Sequence, residues 1–272
     1  MTFSIVARSD DGETWGVGVA SKFLAVGAAV PAAVAGVGAI ATQADANVAF
    51  KGLALAHLDD GATAGIALQR LLEEDDGRED RQVGIVDSDG HAASHTGSAC
   101  LAWAGGVVGD GYAIQGNILT GPEVVEAMEA AWLAGADLPL PRRLLAALEA
   151  GDAAGGDSRG RQSAALFAVR DGAGYGGLDD VAADLRVDDH PAPLVELGRL
   201  LDLHELYLTA STEEEKVPVT AELAAELEEL ARAAGARDFA AWVGTHNHEM
   251  RVADDGAWID ERVLAIIRAS AP

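Results

Sequence analysis

The residue best suited to chemistry in this sequence is Thr2, which follows the initiator methionine. Threonine is small enough for an aminopeptidase to remove Met1, and we expect this removal to leave a free α-amine beside the threonine hydroxyl. An α-amine has an ordinary pKa of about 7.7 to 8.0, so it can accept the hydroxyl proton near neutral pH. The sequence therefore predicts a threonine nucleophile that carries its own general base.

A predicted hairpin brings two further polar residues to the start of the chain. The segments Thr2 to Arg8 and Trp15 to Ser21 are rich in strand formers and flank a polar turn, which predicts antiparallel pairing. Counting outward from the turn places Thr2 opposite Ser21 and Lys22. Lys22 is therefore a candidate catalytic cation, and Ser21 is a candidate substrate contact.

The remaining patterns predict an α+β fold with two sheets. Further strands are predicted at Val37 to Thr42, Gln82 to Asp87, His91 to Thr96, Tyr112 to Leu119, Ser163 to Arg170 and Asp184 to Asp188. Helices are predicted at Val48 to Leu58, Ala62 to Glu73, Pro122 to Leu133, Pro141 to Ala150 and Pro193 to Asp202. Helix pairs between antiparallel runs do not suit a parallel βαβ sheet, so we expect two facing sheets, each covered by a helix pair.

A polar, charged segment predicts a boundary between two domains. Residues 207–219 contain the run STEEEKVP and are interpreted as a linker after a large domain, residues 1–206. Residues 220–272 then form a small helical appendage, in which Thr220 is suited to cap a helix and Glu261 to Arg268 form the last helix.

The composition excludes several classes of partner. The chain has 44 acidic and 19 basic residues, and its formal net charge of −25 repels nucleic acid and anionic membranes. We find no targeting leader and no apolar run long enough to cross a bilayer, so we expect a soluble, cytoplasmic protein. Cys100 is the single cysteine, which excludes an internal disulfide.

Two other groups of residues could carry chemistry. Cys100 lies near His95 in sequence, which permits a Cys-His nucleophile, although a small buried cysteine is the more ordinary interpretation. His91 and His95 share one face of a predicted strand but lack a third ligand, so we expect no metal and no other cofactor.

Several motifs, in a fixed order, resemble the DUF1028 family over about Thr2 to Leu203. They include TFSIVAR from Thr2, GVGVASKF from Gly16, GVGAIATQADAN from Gly36, QGNIL from Gln115, AGGDSRGRQSAAL from Ala154 and LRVDDH from Leu185. The resemblance implies the four-layer αββα sandwich of the N-terminal-nucleophile hydrolases, and the predicted order of elements agrees with it.

The same resemblance implies a pocket around Thr2. By similarity to the layout of proteasome β-subunits, turns carrying amide donors for an oxyanion would approach the nucleophile. The implied residues are Gln43 and Asn117 as catalytic donors, with Gln115, Asp157, Arg159 and Gln162 as substrate contacts. The chain departs from the proteasome pattern because its third strand has no lysine. These polar side chains could instead satisfy buried turns.

The C-terminal segments Ala240 to Val252 and Trp258 to Arg268 resemble a proposed peptidoglycan-binding module sometimes appended to this family. In this copy His246 and His248 flank Asn247. The resemblance implies binding of a cell-wall fragment by the appendage.

The leading hypothesis is therefore a hydrolase of an amide-type bond in a small amide, a lactam or a short peptide. The alternative is a non-catalytic scaffold of the same fold that binds a small molecule or a wall fragment. A sheet edge left open would favour a homodimer.

Overall fold

The structure is a computed structural model in which residues 2–270 are described. The chain divides into two compact units, of which the first ends at Leu201 and the second begins at Asp202. Lys216–Pro218, inside the segment interpreted as a linker, forms a short strand. None of the helices within residues 2–270 has both the length and the apolar character needed to cross a bilayer.

Ten strands make up two antiparallel sheets of the first unit. Their bounds are β1 Thr2–Arg8, β2 Trp15–Ser21, β3 Pro31–Val34, β4 Gly38–Ala44, β5 Arg81–Asp87, β6 Ala92–Thr96, β7 Gly105–Gly109, β8 Tyr112–Asn117, β9 Ser163–Val169 and β10 Val181–Val187. The larger sheet has the order β10-β9-β2-β1-β8-β7, and the smaller has the order β3-β4-β5-β6. Strand β1 therefore lies inside the larger sheet, between β2 and β8.

The helices of this part of the chain are α1 Val26–Ala29, α2 Phe50–Asp59, α3 Ala64–Glu73, α4 Glu123–Ala134, α5 Leu140–Ala153 and α6 Pro193–Tyr207. Local chemistry fixes several of their ends. The Thr63 hydroxyl accepts a hydrogen bond from the Ile66 backbone N–H and so begins α3. Pro141 stands in the first turn of α5, where its missing N–H costs nothing. The mixed α+β class predicted from sequence is confirmed.

Three apolar clusters hold these elements together. Phe3 and Ile5 of β1 pack with Leu144 and Leu148 of α5 on one face of the larger sheet. The opposite face carries residues such as Val6 and Val17, which share a cluster with Ala39, Ala41 and Val86 of the smaller sheet. Ile40, Val83 and Ile85 of the smaller sheet pack with Phe50, Leu58 and Leu71 of α2 and α3.

Glycines on β2 let α5 approach the larger sheet closely. A Cβ atom added to Gly16 would lie 2.9 Å from the Phe167 carbonyl oxygen and 3.0 Å from a methyl carbon of Leu144. One added to Gly18 would lie 3.1 Å from a methyl carbon of Leu148. The run GVGVA therefore alternates valine side chains toward the smaller sheet with bare backbone toward the helix.

The predicted hairpin register is confirmed, because Thr2 pairs with Ser21 and Arg8 pairs with Trp15. Two strands were missed in the sequence, β3 and β7. The first begins with a proline and the second consists of GGVVG, and both lie at a sheet edge. Proline and glycine weaken the strand pattern, although edge positions tolerate them.

The second unit contains the helices α7 Ala221–Ala233, α8 Phe239–Thr245 and α9 Glu261–Ser270, and a sheet of β11 Lys216–Pro218 with β12 Trp258–Asp260. Its core includes Leu227, Trp242, Ile259, Val263 and Ile267. The Thr220 hydroxyl caps α7, as the sequence predicts. The two-stranded sheet was not predicted, since strands of three residues have no resolvable alternation.

Candidate functional site

Thr2 begins the inner strand β1 of the larger sheet. Its side chain is on the same face as Val6, which packs toward the smaller sheet, and the residue is only 6% exposed. The hydroxyl Oγ1 lies 3.0 Å from Oγ of Ser21 on β2. On the other side, Asn117 of β8 is paired with Thr2. The predicted removal of Met1 concerns a residue outside the described part of the chain.

Beside Thr2 lie five buried polar residues from both sheets, which we call the amide cluster. None of them is more than 2% exposed. They are Ser4 of β1, Gln43 of β4, Gln82 of β5, and Gln115 and Asn117 of β8. The cluster thus joins the facing sheets at the end where β1 begins.

Gln82 has the most contacts in the cluster. Its Nε2 donates to the Gly116 carbonyl oxygen at 2.7 Å, to Thr96 Oγ1 at 2.9 Å and to the Gly105 carbonyl oxygen at 3.3 Å. Its Oε1 accepts from Gln43 Nε2 at 2.8 Å and from Asn117 Nδ2 at 2.9 Å. One glutamine therefore links the smaller sheet to the β7–β8 edge of the larger one.

The other half of the cluster runs from Gln43 to Gln115. Gln43 Nε2 contacts the Thr2 carbonyl oxygen at 3.3 Å and the Gln115 carbonyl oxygen at 3.4 Å. The Ser4 hydroxyl donates to Gln43 Oε1 at 2.7 Å and accepts from Gln115 Nε2 at 2.6 Å. Gln115 Oε1 has no hydrogen-bond partner among the described residues. It lies against Gly84, where an added Cβ would be 2.2 Å away.

All five members of the amide cluster are neutral. Burying so many amides is tolerable because they bond to one another and to backbone carbonyls, whereas each unmade hydrogen bond would cost about 1 to 3 kcal/mol. Neutral amides and backbone N–H groups can stabilise a developing oxyanion without carrying a formal charge.

A loop after α5 borders the same end of the larger sheet. Asp157 is 7% exposed, and its carboxylate accepts from the Lys22 backbone N–H at 2.7 Å and from the Arg159 backbone N–H at 2.9 Å. The Arg159 guanidinium lies 3.5 Å from the same carboxylate. A bridge between Asp157 and Leu119 ties the loop to the chain that follows β8.

Two predicted site residues join this region through their backbones. The Lys22 ammonium is exposed and donates to the Arg161 carbonyl oxygen at 3.3 Å, so its backbone N–H, not its charge, contacts Asp157. Gln162 donates its backbone N–H to the Ser21 carbonyl oxygen at 3.1 Å, while its side chain donates to Asp189 at 3.1 Å. A narrow cleft beside them is lined in part by Ser21, Asp157 and Arg161.

Left-handed residues lie at or just after the ends of three strands near Thr2, which are β2, β4 and β8. Ala44 directly follows Gln43 with a φ of 69°, and Ile118 directly follows Asn117 with a φ of 52°. Ala25, shortly after β2, has a φ of 52°. Such angles strain residues that have a Cβ atom, and most of all a β-branched one, and they are concentrated at functional sites.

Cys100 and His95 have separate backbone partners. The thiol lies 3.4 Å from the Arg81 carbonyl oxygen, and a nitrogen of the His95 ring lies 2.9 Å from the Arg78 carbonyl oxygen. Burial raises the pKa of Cys100, and Asp80 and Glu79 add to the increase. The protonated thiol is therefore favoured, which disfavours nucleophilic use.

The two histidines of the first unit that could bind a metal have other partners or lack further ligands within the described part of the chain. His91 contacts Asp87 at 3.2 Å, and no group of three histidine, cysteine, aspartate or glutamate side chains suited to a metal occurs within residues 2–270. In the second unit, the His248 ring stacks with the rings of His246 and Tyr207, and the Trp242 ring packs against both histidines at a tilt.

Sequence reasoning missed Ser4 and Gln82. The available signal was alternation, because Ser4 shares a strand face with Thr2, and Gln82 pairs with Gln43 across β4 and β5. Only the packing of one sheet on the other brings the two residues into one cluster.

The fold and site define a mixed α+β protein with facing antiparallel sheets and a neutral, buried polar cluster beside Thr2. The chain belongs to DUF1028, a family of unknown function whose model matches residues 2–197. It is similar to the crystal structure of protein SPO2555 from Silicibacter pomeroyi, which is assigned to the same family. The two are 32% identical with a TM-score of 0.68, over 75% of this chain and 89% of that one. A comparison with curated proteins gives no match.

Proposed function

We propose that this protein is an N-terminal-nucleophile hydrolase that cleaves an amide-type bond, with Thr2 as the nucleophile. The proposal includes the four-layer αββα architecture of that superfamily. Two facing sheets, one packed against α5 and the other against α2 and α3, support this assignment. The fold alone does not define an activity, so the argument depends on the site.

One observation carries the proposal. The hydroxyl of the first strand residue is held 3.0 Å from the Ser21 hydroxyl, beside a cluster of buried amides that also contacts the Thr2 carbonyl. The left-handed residues Ala44 and Ile118 support it. Each directly follows an amide residue of the cluster, and strained backbone of this kind is concentrated at functional sites.

The proposed reaction proceeds through an ester. After Met1 is removed, the Thr2 α-amine accepts the hydroxyl proton as Oγ1 attacks the carbonyl carbon of the substrate amide. The C–N bond then breaks, and the leaving amine takes the proton from the α-ammonium. Water hydrolyses the resulting Thr2 ester, which releases the acid and restores the hydroxyl. Asn117 is the proposed donor to the tetrahedral intermediate, while Gln43, whose nitrogen already donates to Gln82 Oε1 and to the Thr2 carbonyl oxygen, supports the reaction by holding the Thr2 peptide group in place.

The surrounding polar residues have supporting roles in this proposal. Ser21 orients the Thr2 hydroxyl, Gln115 keeps Ser4 in place, and Arg159 contacts an anionic or polar group of the substrate. Asp157 holds the Lys22 and Arg159 backbones, and Gln162 positions Ser21 through its own backbone. Lys22 was predicted as a catalytic cation; we propose a positioning role for its backbone, since its ammonium contacts Arg161.

Intact-mass measurement after treatment with a β-lactone tests the nucleophile. The lactone ring opens as its acyl carbon bonds to a hydroxyl oxygen, so each acylated chain gains the full mass of the probe. We expect one equivalent on the wild-type protein from which Met1 is absent, and none on Thr2→Ala. Thr14→Ala, at the other end of the hairpin, is the matched control and should react like wild type. Retention of Met1 on the natural protein, or equal reaction of Thr2→Ala, contradicts the proposal.

A binding scaffold without catalysis is the second candidate. The amide nitrogens of Gln43, Gln82 and Asn117 already donate to other protein atoms, as a purely structural network would require. The scaffold predicts no acylation of Thr2, and retention of Met1 would favour it. Both outcomes are read from the same mass spectra.

Recognition of a cell-wall fragment by the second unit and formation of a homodimer stay predictions. Co-sedimentation with purified peptidoglycan tests the first, and recovery of all the protein in the supernatant would contradict it. Light scattering tests the second, and a mass of one chain would contradict it.

A further inference from the structure

We infer that Gln82 is a positioning residue that sets the direction of hydrogen bonding through the amide cluster beside Thr2. The inference rests on the proposed function, because it concerns how the proposed nucleophile is held. Gln82 is 0% exposed and lies on β5 of the smaller sheet. It acts on Thr2 through Gln43, which contacts both residues.

The orientation of the Gln82 amide is fixed by groups that cannot rotate. Backbone carbonyl oxygens only accept hydrogen bonds, and two of them, of Gly116 and Gly105, lie 2.7 and 3.3 Å from one end of this amide. The NH₂ group must occupy that end, because the opposite orientation would place Oε1 against both carbonyl oxygens. The Oε1 atom is therefore directed to the other side, toward Gln43 and Asn117.

This orientation determines the next two amides. Since Gln82 Oε1 can only accept, Gln43 and Asn117 must both present NH₂ groups to it, at 2.8 and 2.9 Å. The same Gln43 nitrogen then lies 3.3 Å from the Thr2 carbonyl oxygen. A reversed Gln43 would set two oxygen atoms against each other at that position. Gln82 thus keeps a donor beneath the Thr2 peptide group.

The direction continues to Ser4 and ends at Gln115. Because the nitrogen of Gln43 faces Gln82, its Oε1 faces Ser4. The Ser4 hydroxyl therefore donates its one hydrogen to Gln43 Oε1, at 2.7 Å. The Ser4 oxygen can then only accept, which requires Gln115 to present its nitrogen at 2.6 Å. Gln115 Oε1 consequently has no partner within the described residues. The carbonyl oxygens of Gly105 and Gly116 thus determine which end of each amide in the cluster donates and which end accepts.

Replacing Gln82 with glutamate makes the hydrogen-bond pattern of the cluster depend on pH, because the introduced carboxyl loses its donor when it ionises. A protonated carboxyl retains one donor for the Gly116 carbonyl and an acceptor for Gln43 and Asn117. An ionised carboxylate has no donor and repels both glycine carbonyls, and burial raises the pKa of such a group. The acylation rate of Thr2 in wild type should rise with pH as the α-amine loses its proton. In Gln82→Glu we expect the rate to fall by about tenfold or more as the carboxyl ionises.

The experiment measures β-lactone acylation from pH 5 to 9, divided at each pH by the folded fraction from circular dichroism. Gln69→Glu, on the exposed surface of α3, is the matched control and should follow the wild-type profile. A role in folding alone lowers the folded fraction of Gln82→Glu but leaves the shape of its corrected profile unchanged. A corrected profile parallel to wild type therefore overturns the inference.

A second measurement is independent of activity and of the variant's folding. Through-hydrogen-bond scalar coupling in isotope-labelled wild type should connect Gln82 Nε2 to the Gly116 carbonyl carbon. Failure of Thr2 to react, with this coupling present, would refute the hydrolase and leave the direction of the cluster intact. Absence of the coupling, with resolved side-chain signals for Gln82, would overturn the assigned direction.

Discussion

The two units each bury a polar cluster, and the clusters are of opposite kinds. In the first unit the amide cluster is neutral. In the second, Arg251 is 1% exposed and its guanidinium lies 2.8 Å from Asp260, which is 0% exposed, and 3.1 Å from Glu215. Ser211, Thr209 and the Leu206 carbonyl oxygen also accept from this arginine. His248 is buried in the same unit.

The two clusters are therefore stabilised in different ways: the amide cluster by the orientation of its hydrogen bonds, and the ionic cluster by attraction between charges. The amide cluster is held by the orientation of each group, so it should tolerate changes of pH and respond sharply to a changed donor or acceptor. The ionic cluster compensates for costly desolvation by several strong bonds at once. Burial by itself raises the pKa of Asp260, but hydrogen bonds from Ser211, the Arg262 backbone and Arg251 bring it below its ordinary value.

The largest effect is expected at the ionic cluster. Arg251→Met removes the cation but leaves Asp260 buried, which should lower the stability of the second unit by about 3 to 5 kcal/mol. Chemical denaturation followed by Trp fluorescence measures the change. Arg237→Met, at an exposed ion pair, is the control and should leave the denaturation midpoint close to that of wild type. Equal effects of the two variants would remove the distinction between the clusters.

The next largest effect is expected in the amide cluster. Gln82→Leu keeps most of the volume but leaves the NH₂ groups of Gln43 and Asn117 without their acceptor, at a cost of about 3 kcal/mol. This loss should be the same at pH 6 and pH 8, because no member of the cluster titrates there. Gln69→Leu, on the exposed face of α3, is the control. A loss below about 0.5 kcal/mol would show that the network contributes little to stability.

A smaller effect is expected from crowding Gln115. Gly84→Ala places a methyl group where Gln115 Oε1 lies 2.2 Å away, and we expect a loss of about 2 kcal/mol as the amide is displaced. Gly52→Ala on α2 is the matched control, since nothing lies within 4 Å of its added Cβ. That control should gain about 0.5 to 1 kcal/mol from helix propensity. Wild-type stability in Gly84→Ala would contradict the tight packing of this amide.

The smallest effect is expected in the pH dependence of stability, which should be seen in the second unit, where His248 is buried. Burial, assisted by His246, lowers the pKa of His248, while Glu249 and Asp260 oppose the shift. The unfolded chain therefore binds more protons than the folded one as pH falls below about 6.5. Stability present above that pH is lost toward the lower folded pKa, by at most about 1.4 kcal/mol per pH unit.

Hydrogen exchange in α8 and α9 between pH 7.5 and 5, corrected for intrinsic rates, measures this change. His248→Gln should make the protection independent of pH in this range. Protection that falls equally in wild type and variant would assign the titration to another group.

The sequence predicts the first unit better than the site within it. Turn spacing determines the pairing of Thr2 with Ser21, because hairpin register is a local property. Ser4 and Gln82 could not be joined from sequence, since their contact depends on how two sheets face each other. The direction of the Lys22 side chain was equally out of reach, because a residue at a strand end can turn to either side. Arg251 gave no signal, as buried and exposed arginines look alike in a sequence.

Peptide mapping by tandem mass spectrometry after β-lactone treatment tests the central claim most directly. If Thr2 is the nucleophile, the probe will be found on the hydroxyl of an N-terminal peptide that begins with Thr2. Ser21→Ala should slow the labelling without moving it. Probe found on Cys100, on Ser21 itself or on no peptide would contradict the account.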